Sequence, residues 1–413
     1  MRRRRRRSGT ARERSEPRLN PTLRLYRSGT TGPAVDVEWS VRQLGTRQRT
    51  VTVEADAELL AFLLSELSGR RDVAGSPRLR RAMRDSGMLI APGDDPRAVA
   101  LDLHLPHAQP GAQAARTAQR LAVSGFAHLE RDGAVPAAIR DRADRGALVP
   151  GASELLWVDD PDTGALALYD LSDEPGRAVR DVVSGARPPT ELPVPLLDTL
   201  VLAGVLVDRA APRPAPASPG ARARVLRAAF CSDELAIIRG AINPVQLAMF
   251  RPYLRGLARE GWLRWNELEK DRMLLRREPL CEFLHHQLCP LVAAIVDEPL
   301  KPSYSIYAHY HPGAILARHR DRPQCKYNVS LVLDAQAEAQ AEAHAEDRAG
   351  GDDAWPLYIE TRTGVHAAAL APGDAVLYSG TDAWHWRDAQ PAGHSLGGAF
   401  FHYVPVSFTG SLD

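Results

Sequence analysis

From Val35 to Val53 apolar and polar residues alternate, which predicts a small sheet, because successive strand side chains point to opposite faces. Glu58 to Leu67 then carries apolar residues three and four apart, the spacing of one helix face. A turn at Ser68 and Gly69, a helix from Pro77 to Ser86, a glycine stop at Gly87 and a short apolar run to Ile90 follow. The same order returns 116 to 117 residues later: a turn in Val183-Ser-Gly-Ala-Arg187, a helix from Val194 to Ala203, then Gly204-Val-Leu-Val207. Two copies of one module are therefore expected, over 35–92 and 150–208, inside an accessory region spanning 34–208.

Four prolines between Arg209 and Pro219 predict an extended linker, placed at 209–222, and with it a domain boundary. Beyond it, Glu234–Gly240, Pro244–Glu260 and Pro279–Val296 carry helical periodicity. From Tyr304 the chain turns to short β-type runs broken by Gly, Pro and Asp. Helices first and a β-core after make a C-terminal domain over 223–413. Residues 335–354, rich in Ala, Glu and Asp, read as a surface insertion between strands Tyr327–Leu333 and Trp355–Glu360, with His344 in solvent.

Composition narrows the function classes. At 413 residues the chain has room for two or three domains, and 44% hydrophobic with 25% charged residues is ordinary for a soluble protein. A net charge of +1 gives no global attraction to nucleic acid or anionic membrane. Four scattered cysteines (Cys231, Cys281, Cys289, Cys325) and no secretory pattern lead us to expect a reducing cytoplasm. No apolar run reaches spanning length, so no membrane partner is expected. The arginines of Met1–Arg7 read as the start of a solvated basic tail over 1–33, since aromatic interleaving is missing.

The candidate chemistry begins at Tyr310-His-Pro-Gly-Ala-Ile-Leu-Ala-Arg-His319-Arg-Asp321. Residues two apart on a strand share a face, so His319 and Asp321 present an imidazole and a carboxylate to one ion. His385, in Pro372-Gly-Asp-Ala-Val-Leu-Tyr-Ser-Gly-Thr-Asp-Ala-Trp-His385, supplies a third ligand from a separate strand. Two imidazoles and one carboxylate leave three positions open, the arrangement that suits non-haem Fe(II). Cys281, His285, His286 and Cys289 lie at helical spacing. They read as an amphipathic helix, since structural zinc ligands rarely line one helix.

On these motifs, residues 225–413 resemble the Fe(II)/2-oxoglutarate-dependent dioxygenase superfamily, nearest in style to its prolyl-hydroxylase and alkylation-repair branches. The resemblance implies an α+β chain ending in a double-stranded β-helix, a jelly-roll with the metal at its open end. It also implies Fe(II), 2-oxoglutarate and O2 as cofactor and co-substrates, with conversion to succinate and CO2 coupled to substrate oxidation. A tyrosine nine residues before the first histidine contacts the co-substrate in the alkylation-repair members, and Tyr310 has that spacing. A basic residue some nine or more positions after the distal histidine holds the far carboxylate, but here that window holds His394 and Ser395. Arg387, Lys326 and Arg320 are the other candidates for that charge. The carboxylate of Asp321 favours hydroxylation, because related halogenases carry a small residue in its place. Trp384 and Trp386 are expected to wall the pocket, stack on substrate or serve packing.

The N-terminal repeats look like winged-helix modules, including small peptide-binding ones. That resemblance points to a peptide, protein side chain or peptide-like natural product as substrate. Two alternatives stand beside it: an oxygenase acting on a small metabolite, and a non-catalytic ligand-sensing regulator whose modules bind DNA.

Overall fold

The computed structural model describes most of the chain from Arg18 to Leu412. Residues 1–17, 91–102, 106–117, 149–153, 210–218, 267–270, 338–354 and some shorter loop segments, Gly87 among them, lie outside the described residues. The arginine run, the turn at Ser68 and Gly69 and His344 therefore fall outside it. The chain forms two compact units, 1–99 and 100–413.

In the first unit, β1 (Arg18–Leu19), β2 (Arg24–Arg27), β3 (Val35–Arg42) and β4 (Gln48–Glu54) precede α1 (Ala57–Leu67), α2 (Pro77–Asp85) and β5 (Leu89–Ile90). An antiparallel β2-β3-β4 meander stands apart from the β1–β5 pair. Asp56 caps α1 by accepting from the Leu59 amide at 2.8 Å, and Ser76 caps α2 from Leu79 at 3.1 Å. Leu19, Leu23 and Leu25 pack on the buried cluster of Val37, Phe62, Leu63 and Met83. That packing accounts for the strands Arg18–Leu19 and Arg24–Arg27 within the stretch read as a tail.

The second unit opens with the same order: β6 (Leu121–Val123), β7 (Ala127–Arg131), β8 (Glu154–Asp159), β9 (Leu166–Asp170), α3 (Glu174–Val183), α4 (Val194–Leu202) and β10 (Leu206–Asp208). Again a three-stranded meander leads into two helices, and the last short strand pairs with the first. Paired helices start 117 residues apart, at Ala57 and Glu174 and at Pro77 and Val194. Asp173 caps α3 from the Gly176 amide at 2.6 Å, as Asp56 caps α1.

Next come α5 (Pro219–Asp233), β11 (Leu235–Ile238), α6 (Pro244–Arg259), β12 (Arg264–Trp265), β13 (Arg272–Arg276) and α7 (Pro279–Val296). The 209–222 stretch is thus helical from Pro219, where a proline in the first turn loses no intrahelical bond. The helix expected over Glu234–Gly240 is the strand β11, since its short run Leu-Ala-Ile-Ile completes a sheet edge beside β19 (Ala375–Ser379). Nor does the compact division fall at the prolines: Gln287 on α7 accepts from the Leu166 amide at 3.0 Å and donates to the Arg142 carbonyl at 2.9 Å. α7 has the length and apolarity of a spanning helix, and it spends them on burial against the sheet that follows.

That sheet belongs to a double-stranded β-helix. Its core strands are β14 (Leu300–Tyr310), β15 (Leu316–His319), β16 (Tyr327–Ala337), β17 (Leu357–Thr361), β18 (Gly364–Ala368), β19, β20 (Trp384–Arg387) and β21 (His394–Pro405). A major sheet orders β11-β19-β16-β21-β14-β13-β12, and a minor sheet β15-β20-β17-β18 faces it. Tyr310, Val332, Ile359, Val376 and Leu396 fill the space between. Because strand side chains alternate, the inward rows are 272/274/276 on β13, 304–310 on β14 and 396–402 on β21, taken at even numbers. Asn328, Ser330 and Val332 face inward on β16.

Candidate metal centre

His319 closes β15 and His385 sits on the neighbouring strand β20, where the two are Cα partners in register. Asp321 lies two residues beyond His319, fixed by its amide donating to the Gly380 carbonyl at 2.9 Å. The ligand atoms of His319, Asp321 and His385 all lie within 4.8 Å of one another. His319 Nε2 is 3.6 Å from Asp321 Oδ1, and His385 Nε2 is 3.6 Å from Asp321 Oδ2. Each imidazole turns Nδ1 to a carbonyl, Ala317 at 2.7 Å and Ala383 at 3.2 Å. A proton held there leaves both Nε2 lone pairs aimed at the common point.

The electrostatics suit a cation. Burial pushes His385 down to about 4, against the pull of Asp321, so it is neutral at pH 7. Burial lowers His319 as well, but its contact with Asp321 outweighs this and the net shift is upward. For Asp321 burial raises the pKa; His319, His385 and His402 more than offset it and hold the carboxyl below its usual range. Two basic nitrogens and a carboxylate on one side are the donor set for a divalent metal with open positions.

A supporting layer fixes the carboxylate. Asn328 donates through Nδ2 to Asp321 Oδ2, and its Oδ1 meets His402 Nδ1. The His402 carbonyl in turn accepts from Ser303 at 3.0 Å and meets His285 Nε2 at 2.8 Å. Gly380 lies so close that a Cβ there would stand 2.7 Å from both Asn328 Nδ2 and Asp321 Oδ2.

Deeper along the same face of β20 comes Arg387, two residues and about 7 Å beyond His385. It is 2% exposed, donates through Nη1 to the Trp355 carbonyl and lies 4.7 Å over the Trp355 ring. Among the described residues no carboxylate stands within ion-pair distance of it, and its Nε has no hydrogen-bond partner. Burial pushes its pKa down to about 10, with Tyr310 and Tyr378 pulling up and Arg272 down, so it stays charged at pH 7. Tyr310 is buried beside it, its Oη without a partner. Arg272 lies over the Tyr310 ring at 5.1 Å. A buried cation and orphaned donors one step from the triad call for an anionic ligand.

The other candidates stand elsewhere. Leu396 packs inward with Tyr310, so Ser395, its neighbour on β21, faces the opposite side. His394 pairs with Ala337 and Asn328 with His402, which puts His394 eight residues from the triad's level, roughly 26 Å along the strand. Lys326 is paired with Glu298 at 3.1 Å. Arg320 lies 4.9 Å over Trp384. Trp384 and Trp386 point away from His385: Trp384 is flanked by Arg318 and Arg320, and Trp386 stacks on Tyr358 at 5.4 Å. His285 is wedged against Phe401 and Tyr403, a packing role that rules it out as a zinc ligand beside Cys281. Asn328, Arg272, Gly380 and Tyr378 were not singled out in the sequence. The signal was Asn328 and Ser330, polar residues on the inward face of the otherwise apolar strand 327–333.

Fold and ligand set together define a class: a double-stranded β-helix carrying a two-histidine, one-carboxylate site at one end. No family model and no curated protein matches the sequence. Among solved structures of similar shape is the non-heme alpha ketoglutarate dependent epimerase SnoN from nogalamycin biosynthesis, 12% identical over 45% of this chain and 81% of that one, TM-score 0.37. A Pseudomonas putida prolyl-4-hydroxylase is 16% identical over 44% and 98%, TM-score 0.35. HygX from Streptomyces hygroscopicus, with nickel and 2-oxoglutarate bound, is 12% identical over 45% and 88%, TM-score 0.35.

Proposed function

We propose that residues 219–413 form an Fe(II)- and 2-oxoglutarate-dependent oxygenase domain that hydroxylates its substrate. One observation carries this: beside the convergent His319, Asp321 and His385 lies a buried Arg387, two residues after His385 on the same strand face and without a carboxylate within ion-pair distance among the described residues. That arrangement suits a ligand chelating the metal at one end and carrying a carboxylate at the other. His319, Asp321 and His385 would hold the iron, and Arg387 with Tyr310 would hold the far carboxylate, with Arg272 adding positive potential behind. Bound iron and 2-oxoglutarate supply the oxidising power.

The chain's own residues do the rest. Asn328 and Gly380 keep Asp321 turned toward the ion, and the Nδ1 bonds of both histidines keep Nε2 available. Trp355, Phe400 and Leu396 line the inner wall and exclude water from the co-substrate end. The duplicated modules support a peptide or peptide-like substrate, recognised outside the barrel. The test is succinate formation with Fe(II) and 2-oxoglutarate, together with direct Mn(II) binding. His319→Ala and Asp321→Ala should abolish both. Wild-type protein that binds neither Mn(II) nor 2-oxoglutarate sinks the proposal, and turnover indifferent to any peptide removes its substrate half.

A further inference from the structure

The rim of the barrel beside the triad carries a second basic site, distinct from the buried one around Arg387. Arg276 ends the inward row of β13, and its guanidinium lies 4.8 Å over the ring of Tyr304. Arg322, in the loop just past Asp321, lies 5.7 Å from the same ring and donates from Nη2 to Tyr304 Oη at 2.9 Å. Tyr304 rests 4.5 Å from His402, which is tied through Asn328 to Asp321. A row therefore runs from Arg276 through Tyr304, His402 and Asn328 to the metal carboxylate. The charges of both arginines reach His402 and join burial in holding its ring down to about 4.

Neither arginine has a carboxylate within ion-pair distance among the described residues. This contrasts with the basic side chains around them: Arg277 pairs with Glu282, Lys326 with Glu298 and Arg318 with Glu360. Stacking on Tyr304 uses the face of the Arg276 guanidinium and leaves its N–H edge free of that contact, while Arg322 commits Nη2 to Tyr304 Oη and keeps its remaining donors. Arg276 is half-buried and Arg322 exposed, so neither guanidinium is sealed from solvent beside the triad.

We propose that Arg276 and Arg322, braced on Tyr304, form a subsite for an anionic group of the primary substrate, a carboxylate or a phosphate. The inference rests on the oxygenase reading and adds the substrate's chemical class. The subsite holds the substrate's charge at the rim and so orients an uncharged part of it toward the metal's open side. It favours acidic peptides or phosphorylated compounds over neutral ones.

The experiment uses the full chain loaded with Mn(II) and 2-oxoglutarate, so that the triad and the Arg387 pocket are filled. Inorganic phosphate and benzoate are titrated separately by calorimetry at constant ionic strength, with chloride as the reference anion. Saturable binding of at least one is expected, weakened roughly tenfold or more in Arg276→Gln and Arg322→Gln, with 2-oxoglutarate affinity unchanged. Arg276→Lys, which keeps charge without the fork, should fall between. A chloride-like response to both anions, or binding untouched by either Gln substitution, overturns the subsite. Failure of Mn(II) or 2-oxoglutarate to bind wild-type protein overturns the oxygenase reading instead, and the anion titration then still decides the rim site.

Discussion

Replacing Arg387 by Met should separate ligand binding from fold stability, with opposite signs. Met keeps the apolar length of the side chain and removes the charge. A hydrogen bond to a charged group contributes roughly 1.5–3 kcal/mol, so losing a two-point guanidinium–carboxylate contact costs about 3–5 kcal/mol, or roughly 10²–10⁴ in the Kd for 2-oxoglutarate. The ligand-free protein responds differently, because Arg387 is 2% exposed and has no carboxylate within ion-pair distance among the described residues. Removing that desolvated charge is expected to be neutral or to stabilise by up to about 2 kcal/mol, offset by about 1 kcal/mol for the lost bond to the Trp355 carbonyl. Thermal unfolding of the Mn(II)-loaded protein with and without 2-oxoglutarate measures both. At a concentration near 100 times the wild-type Kd the ligand adds about 2.7 kcal/mol; a hundredfold weaker variant gains only about 0.4 kcal/mol at the same dose. For a domain of this size that is a shift of roughly 5–10 °C against about 1 °C. A variant that keeps the wild-type shift refutes the assignment of Arg387. So does one whose ligand-free melting temperature collapses, since the arginine would then be a structural strut.

Three further outcomes follow from the same site. Asn328→Ala should weaken Mn(II) binding about 10–100-fold, read by metal titration, because Asp321 loses the amide that aims it; unchanged affinity would deny Asn328 that role. Gly380→Ala should destabilise by roughly 1–3 kcal/mol in a denaturant titration, since the added methyl would collide with the Cys325 carbonyl and stand 2.7 Å from Asn328 and Asp321; a neutral result would contradict this close packing. In metal-free protein, burial holds His309, His385 and His402 down to about 4 and His285 well below its usual value. The unfolded chain takes up these protons first as pH falls, so the stability they carry is complete above about 6.5 and is lost progressively toward pH 4. Melting temperature should drop across that window and drop less in His309→Gln; a flat profile would contradict the burial of these rings.

Much of this site was legible because its chemistry is compact in sequence. His319 and Asp321 are two residues apart, and the Gly-Asp turn before β19 announces the approach to His385. The barrel strands were legible for the same reason, since alternation survives wherever one face is buried. Glu234–Gly240 was misread as helix because seven residues hold too few turns of either period to choose, and only the pairing of β11 with β19 decides. In 1–33 charge dominates the composition and hides the strands Arg18–Leu19 and Arg24–Arg27. Leu19, Leu23 and Leu25 find a core that no local window contains.

The proposed co-substrate anchor shows where counting along the chain stops being informative. A window of nine or so residues after His385 selects His394 and Ser395, because it assumes that the turn after β20 delivers the next strand with a given residue inward. Here Leu396 takes the inward position on β21, so Ser395 cannot reach the pocket, however close in sequence it stands. The pleat offers a different route on the strand already in use: with His385 facing in, Arg387 must face in as well. A charge there reaches the same volume from the adjacent strand, and Arg272 reaches it from the edge of the major sheet. The proposed anchor is then set by its depth below the three converging ligands, not by a number of residues counted from the histidine.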